Sequence, residues 1–461
     1  MEIILDFSFF EELVTLPLYL IVWKLFIYGG WVVVLFFIFV IWYTCWLKKK
    51  QKLFLGGVTY VLLAVDVPKD NELGPLAVEN IFAQLAAAES GAKTFKERNW
   101  RGVMETPVSL ELISMEGYIQ FLVRIPVELR DLAETAVYAQ YPDAEITEVE
   151  DYVGEAPTNF PSAEHDLWGT DLVLYNNTVY PIRTYKEFED MTALERFKDP
   201  MASILEAMSK IGRGENIWLQ ILLVPAQPDW VKEGGDVIKK ILKIPIVEKP
   251  SALDTVLDAP LQVLRGVHEQ VWGNVSEPPK EPQPGKPGDL TPGDRKVLEA
   301  VQNKMSKIGF KTKVRFVYWG KKDVFSKGRG VAAFMGAFKQ FSSMSMNGFM
   351  PDKKNKTSGE GLSPAKNLAE KQNNIIKYYA ARAFHKGAKP FILNTEELAT
   401  IYHFPVKAVK APLLKMAEVR RGEAPVSLPI DIPWVSEEAG ATEGGEAEEV
   451  KGAPPEDLPT G

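Results

Sequence analysis

The chain has a single cysteine, Cys45, and four histidines, His165, His268, His385 and His403, among 461 residues. One cysteine allows no intrachain disulfide and no thiolate metal cluster, so nothing here requires an oxidising compartment. The histidines are scattered and show no metal-ligand spacing, and each reads as a surface or packing residue. The motifs of common enzyme classes are missing too. There is no G-x-x-x-x-G-K-[ST] phosphate loop, no G-x-S-x-G elbow, no H-E-x-x-H and no C-x-x-C. Gly212-Arg213-Gly214 and Gly328-Arg329-Gly330 are isolated G-x-G turns rather than a dinucleotide fingerprint. The sequence therefore implies no catalytic residue, metal or cofactor, and the expectation is a non-enzymatic protein. Net charge is −8, which as a whole-chain figure argues against a general nucleic-acid binder.

What the sequence does have is unevenly distributed. Leu25 to Leu47 is uncharged and apolar, about the roughly 20 residues that a bilayer core requires. Trp23, Tyr28 and Trp31 near one end, and Trp42, Tyr43 and Trp46 near the other, resemble interfacial aromatic belts. Lys48, Lys49 and Lys50 follow at once. This pattern predicts a single-pass transmembrane helix over 25–47, with membrane lipid as a partner. The positive-inside rule then places the N-terminus outside the inner membrane and the body in the cytoplasm. Residues 1–24 form an N-terminal segment, apolar from Phe7 to Trp23 and interrupted by Pro17, expected to lie in the membrane interface as a separate helix or to extend a tilted span.

The expected fold class is α+β: the transmembrane helix, two ferredoxin-like (split βαβ) sandwich units and a disordered acidic tail. In the first unit, over 56–152, Val58–Val67, Val108–Ile113, Tyr118–Ile125 and Ala144–Val149 read as strands. Pro75–Ala88 and Val127–Tyr141 read as helices, giving the order β-α-β-β-α-β. The second unit, over 168–345, has a Pro-rich insertion around 245–292. It opens with a strand pair turning at Asn176-Asn177. Asp199-Pro200 caps a helix to Ile211, and Asn216–Val224 is a buried strand. Thr291 opens a helix to Ile308, Lys311–Trp319 is a half-buried strand, and Arg329–Phe341 is a helix. A basic, partly ordered region over 346–435 follows, in which Asn394 begins a short capped helix. The tail over 436–461 is acidic and low in complexity. Glu145, Glu148, Glu150 and Asp151 read as a solvated strand edge.

Between Lys304 and Arg421 there are 24 Lys/Arg against 7 Asp/Glu. Lys321, Lys322, Lys327 and Arg329 form one group, and Lys353, Lys354 and Lys356 another. Phe316, Tyr318, Trp319, Phe334, Phe338 and Phe341 interleave with them. Basic residues among aromatics suit single-stranded nucleic acid or anionic lipid, or are simply a solvated face over a core.

Tyr141-Pro142-Asp143-Ala144-Glu145-Ile146, with Val149-Glu150-Asp151-Tyr152, resembles a segment of membrane-anchored proteins of the Patescibacteria. Gly336-Ala337-Phe338-Lys339-Gln340-Phe341 with Asn347-Gly348-Phe349 resembles the region preceding the motor domain in type IV secretion and conjugation ATPases. So does Leu393-Asn394-Thr395-Glu396-Glu397-Leu398-Ala399 with Tyr402-His403-Phe404-Pro405. The resemblance implies a membrane-proximal component without a motor, working as a docking platform for a separate ATPase or for other copies. The alternative is a membrane-anchored protein that binds nucleic acid through 304–421.

Overall fold

The structure is a computed structural model that describes residues 17, 20, 23, 26–27, 31–68, 70–88, 94–188, 199–242, 290–359 and 363–406. Residues 436–461, where the acidic tail is expected, lie outside this set, as do nearly all of 1–24 and 245–292.

The first helix, α1 (Trp31–Gly57), corrects the expectation of a transmembrane span. No helix among the described residues is long and apolar enough to cross a membrane. Within the described helix the uncharged part is Trp31 to Leu47, 17 residues against the roughly 20 that a span needs. The helix then continues through Lys48, Lys49, Lys50 and Lys52 as one element.

The body is built on one antiparallel sheet. In chain order it contains β1 (Tyr60–Asp66), α2 (Pro75–Ala88), β2 (Val108–Met115), β3 (Tyr118–Pro126), α3 (Arg130–Tyr138) and β4 (Glu145–Glu148). Then come β5 (His165–Leu174), α4 (Pro200–Ser209), β6 (Glu215–Pro225), α5 (Asp229–Ile241), α6 (Pro292–Met305) and β7 (Gly309–Lys321). α7 (Ala333–Phe338), β8 (Phe349–Pro351), α8 (Pro364–Ala380), β9 (Phe391–Asn394) and α9 (Thr395–Ile401) complete it. The strand order is β4-β1-β3-β2-β6-β7-β5-β8, with β9 added beside the first residues of β7.

This order joins the two expected sandwich units into one sheet. Each half repeats the same arrangement, a 4-1-3-2 order for β1–β4 and again for β5–β8. The halves are joined where β2 pairs β6 from Val108↔Leu223 to Met115↔Asn216. The strand pair expected to turn at Asn176-Asn177 is also corrected. No strand follows that turn before Phe188, because Asn347 occupies the inside of it, donating to the carbonyls of Asn177 (2.9 Å) and Tyr180 (3.1 Å).

Strand alternation sorts side chains onto two faces. One face carries Leu110, Leu112, Leu219, Ile221, Val314 and Phe316 under α2, α4, α7 and α9, and forms the main core. The other carries Ile113, Trp218, Val317 and Trp319 under α8, which supplies Ile375, Ile376 and Tyr379. The sheet is therefore covered on both sides, which is why β6 and β7 are buried along almost their whole length. Lys311–Trp319 was expected to be half-buried with its basic residues in solvent. In the structure Lys313 and Arg315 are buried beneath α8 and the loop that follows it.

Candidate functional site

Under α8 the sheet places four polar residues in one transverse row. Glu111 on β2 is the register partner of Gln220 on β6, Gln220 of Arg315 on β7, and Arg315 of Asp171 on β5. Neighbours in register on one face lie within side-chain reach, and the row is continuous. Gln220 Nε2 donates to Glu111 Oε1 at 3.0 Å, Arg315 Nη1 to Gln220 Oε1 at 3.1 Å, and Arg315 Nε to Asp171 Oδ1 at 2.9 Å.

The loop after α8 closes over the row. Arg382, in the left-handed region at φ 45, turns its guanidinium inward, donating to Glu111 at 3.0 and 3.2 Å and to Asp151. Arg315 donates to the carbonyls of Tyr378 and Lys386, and Lys313 Nζ to those of Phe384 and Lys386. Gly387, at φ 85, presents its Cα so closely that a Cβ would lie 2.0 Å from Asp171 Oδ2. That oxygen accepts from the Ala388 N–H at 2.7 Å.

The electrostatics follow from this geometry. Burial raises the Glu111 pKa. The charge and hydrogen bonds of Arg382, with those of Ser109 and Tyr152, outweigh it and leave the carboxyl below its ordinary value. Burial pushes Tyr152 and Tyr379 up, and their hydroxyls meet at 2.7 Å. Burial, then the adjacent Arg315 charge, lowers Lys313 to about 8. All the charged members of the row are held by other parts of the chain, which fits a structural lock better than a reaction centre.

Two other buried networks are also committed. Lys304 pairs with Glu397 at 3.0 Å, and Glu397 forms a capping box with Asn394 at the start of α9. Asp199, the expected N-cap of α4, accepts from Met201 N at 2.7 Å and also faces His403 Nε2 at 2.8 Å. Among the described residues no group of three or more His, Cys, Asp or Glu is arranged to hold a metal.

The residues proposed from sequence fall in different places. Trp23, Trp31, Trp42, Lys48 and Lys49 are exposed, and Tyr28 lies outside the described residues. Tyr43 donates to the Asn99 carbonyl, Trp46 meets Trp100 edge-on at 5.6 Å, and Lys50 Nζ lies 5.9 Å from the Trp46 ring centre. The base of α1 is thus seated on the segment 97–102 of the body. Lys321, Lys322 and Lys327 are exposed near the end of β7, where Arg329 is tied to buried Glu215 at 2.8 Å. Lys353, Lys354 and Lys356 sit on the turn after β8. Phe316, Tyr318, Trp319, Phe334, Phe338 and Phe341 are all buried, so none can stack on a base. Periodicity carried that information for five of them: Phe316 and Tyr318 are two residues apart on a strand, and Phe334, Phe338 and Phe341 are four and three apart on helical turns, the spacings of a core, while Trp319 faces the other side of the sheet.

Two clefts flank β8. One, of about 650 Å³, is apolar and lined by Leu172, Met335, Phe338, Met344, Phe349 and Met350. Met344 is fully exposed at its mouth and Lys339 stands beside it. The other, of about 330 Å³, is polar and lies between the 352–358 turn and α8. The sequence signal for the first was Met335, Met344 and Met350 close together, since flexible thioethers are common at adaptable binding surfaces.

The family model described as Domain of unknown function (DUF8128) matches residues 67–415. The chain belongs to this family. The DUF8128 region takes in the whole polar row, Arg382, both clefts and every strand after β1, and leaves α1 outside. No curated protein matches the chain.

Proposed function

We propose that this DUF8128 protein is a non-enzymatic docking component of a type IV secretion-like or conjugative DNA-transfer assembly, receiving a separate ATPase at the apolar cleft beside β8. The observation that carries this reading is the cleft wall. Phe338, Lys339 and Phe349, all from the first of the two pieces that resemble motor-proximal sequence, line one apolar depression with Met335, Met344 and Met350. An apolar hollow with an adaptable methionine lining and a single lysine at its edge suits an apolar protein segment carrying an acidic residue. The buried ionisable groups support the same reading, because they are spent on holding the sheet together. The alternative, nucleic acid along 304–421, is weakened by the burial of its six aromatics.

A photo-crosslinking residue placed at Met344 tests the reading in the source organism. The expected product is a crosslink to a protein carrying a phosphate-loop motif, lost in Met350→Arg. If the crosslinked partners include no such ATPase, or if Met350→Arg leaves the crosslink unchanged, the proposal fails.

A further inference from the structure

The polar cleft on the α8 side of the sheet has no part in the docking reading, and its walls are built. The 352–358 turn is fastened to β5: Asp352 N donates to Asp171 O at 2.9 Å and Thr357 N to Gly169 O at 3.0 Å. Gly169 N donates back to Thr357 Oγ1 at 2.9 Å, and Asn355 Nδ2 bridges Asp352 and Asp171 at 2.6 and 3.3 Å. A turn held at so many points presents Lys354 in a fixed place. The opposite wall is one face of α8, Asn367, Lys371, Asn374 and Tyr378 spaced 4, 3 and 4 residues apart, with Glu370 and Ile375 beside them, so one carboxylate stands among the cleft's two ammoniums. The adjoining Gln372 and Asn373 are used structurally, on Leu167 and Phe160.

Lys354 from the turn and Lys371 from α8 both line the cleft. From 352 to 377 the sequence has six lysines against three carboxylic acids, so the local potential is positive. The cleft, at about 330 Å³, is larger than a simple anion needs and sits at the small end of ligand sites. Two ammoniums supply point charges for a phosphate. Carboxamides, each with a donor and an acceptor, match the edge of a base, and a half-exposed tyrosine ring offers a stacking surface.

We propose that this cleft binds a mononucleotide, its phosphate on Lys354 and Lys371 and its base against Asn374 and Tyr378. Calorimetric titration of the full chain with AMP, adenosine and inorganic phosphate tests this. Saturable binding of AMP is expected, with adenosine and phosphate each weaker by about tenfold or more. Lys354→Ala with Lys371→Ala should weaken AMP by about tenfold or more while leaving the urea midpoint in place. Asn374→Ala should weaken AMP without affecting phosphate. The proposal is overturned if AMP gives no heat, if the double variant binds AMP as well as the parent, or if phosphate alone binds as tightly. Much tighter binding of an oligothymidylate with a steep salt slope would also overturn it, in favour of a strand-tracking surface. None of these outcomes depends on the protein partner.

Discussion

Gly387 occupies a position that no other residue fits. Its φ of 85 is in the left-handed region, and a methyl group there would meet the Asp171 carboxylate at 2.0 Å. Gly387→Ala must therefore displace the closing loop or break the Arg315–Asp171 pair, and should cost about 3 kcal/mol or more in urea unfolding. Arg382 is the second fixed point. Arg382→Ala leaves Glu111 buried without its counter-charge and should cost about 3–5 kcal/mol, whereas Glu111→Met combined with Arg382→Met should cost much less. The pH dependence has a definite sign. Glu111, Asp151, Asp199 and Glu396 all have pKa values held below their ordinary ones in the folded chain. Below about pH 4–5 the unfolded chain binds more protons than the folded one, so their contribution is present above that range and is lost as pH falls through the folded values. Urea midpoints should accordingly drop on acidification below pH 5, and Glu111→Gln should flatten that slope. Little of this was legible in sequence. Glu111, Gln220, Arg315 and Asp171 are up to 204 positions apart, and only the sheet register places them side by side. Asp199 was readable as an N-cap because Pro200 at the first helical position follows it and its partner Met201 N is two residues on, but its second partner, His403, is distant in sequence.

At the scale of elements, local signals succeeded where the deciding contacts are local. The capping box at Thr291 and the box at Asn394 both open helices, and each is complete within four residues. The strand pairing past Asn176-Asn177 failed because Asn347, far along the chain, binds the inside of that turn. The span over 25–47 failed for another reason: composition alone counts apolar residues, while the helix that forms is continuous with a lysine-bearing half. The helix is held to the body across that junction, by Tyr43, Trp46 and Lys50 against 97–102. Gly102 marks how close the contact is, since a Cβ there would lie 2.7 Å from that of Lys50. Trp100→Ala should therefore release α1 without unfolding the sheet. Hydrogen exchange over residues 43–57 should rise by about tenfold or more while β6 and β7 keep their protection. Increased exchange in β6 and β7 would mean that α1 is part of the cooperative body after all.

The described body is two similar halves fused through a central strand pair, and what fuses them is partly polar. Beyond the β2–β6 ladder, the seam is crossed by Glu111 to Gln220, by Arg382 to Glu111, and by the Tyr152–Tyr379 hydroxyl contact. On the opposite face α9, from the second half, packs on α2 of the first, and Lys307 pairs with Glu79. Interactions that cross a boundary on both faces make opening one half expose the other, so unfolding should be a single transition despite the internal repeat. Trp168, Trp218 and Trp319 are all buried in the second half, whereas far-UV dichroism reports both. In the parent chain the fluorescence and dichroism curves should superimpose in urea. Replacing Glu111 and Arg382 together by Ala removes the polar crossing but leaves the ladder. If the row couples the halves, the two curves should separate and the fluorescence slope should fall, since less surface is exposed in each step. Curves that stay superimposed at a lower midpoint would instead assign the coupling to the β2–β6 ladder and the α2–α9 contact.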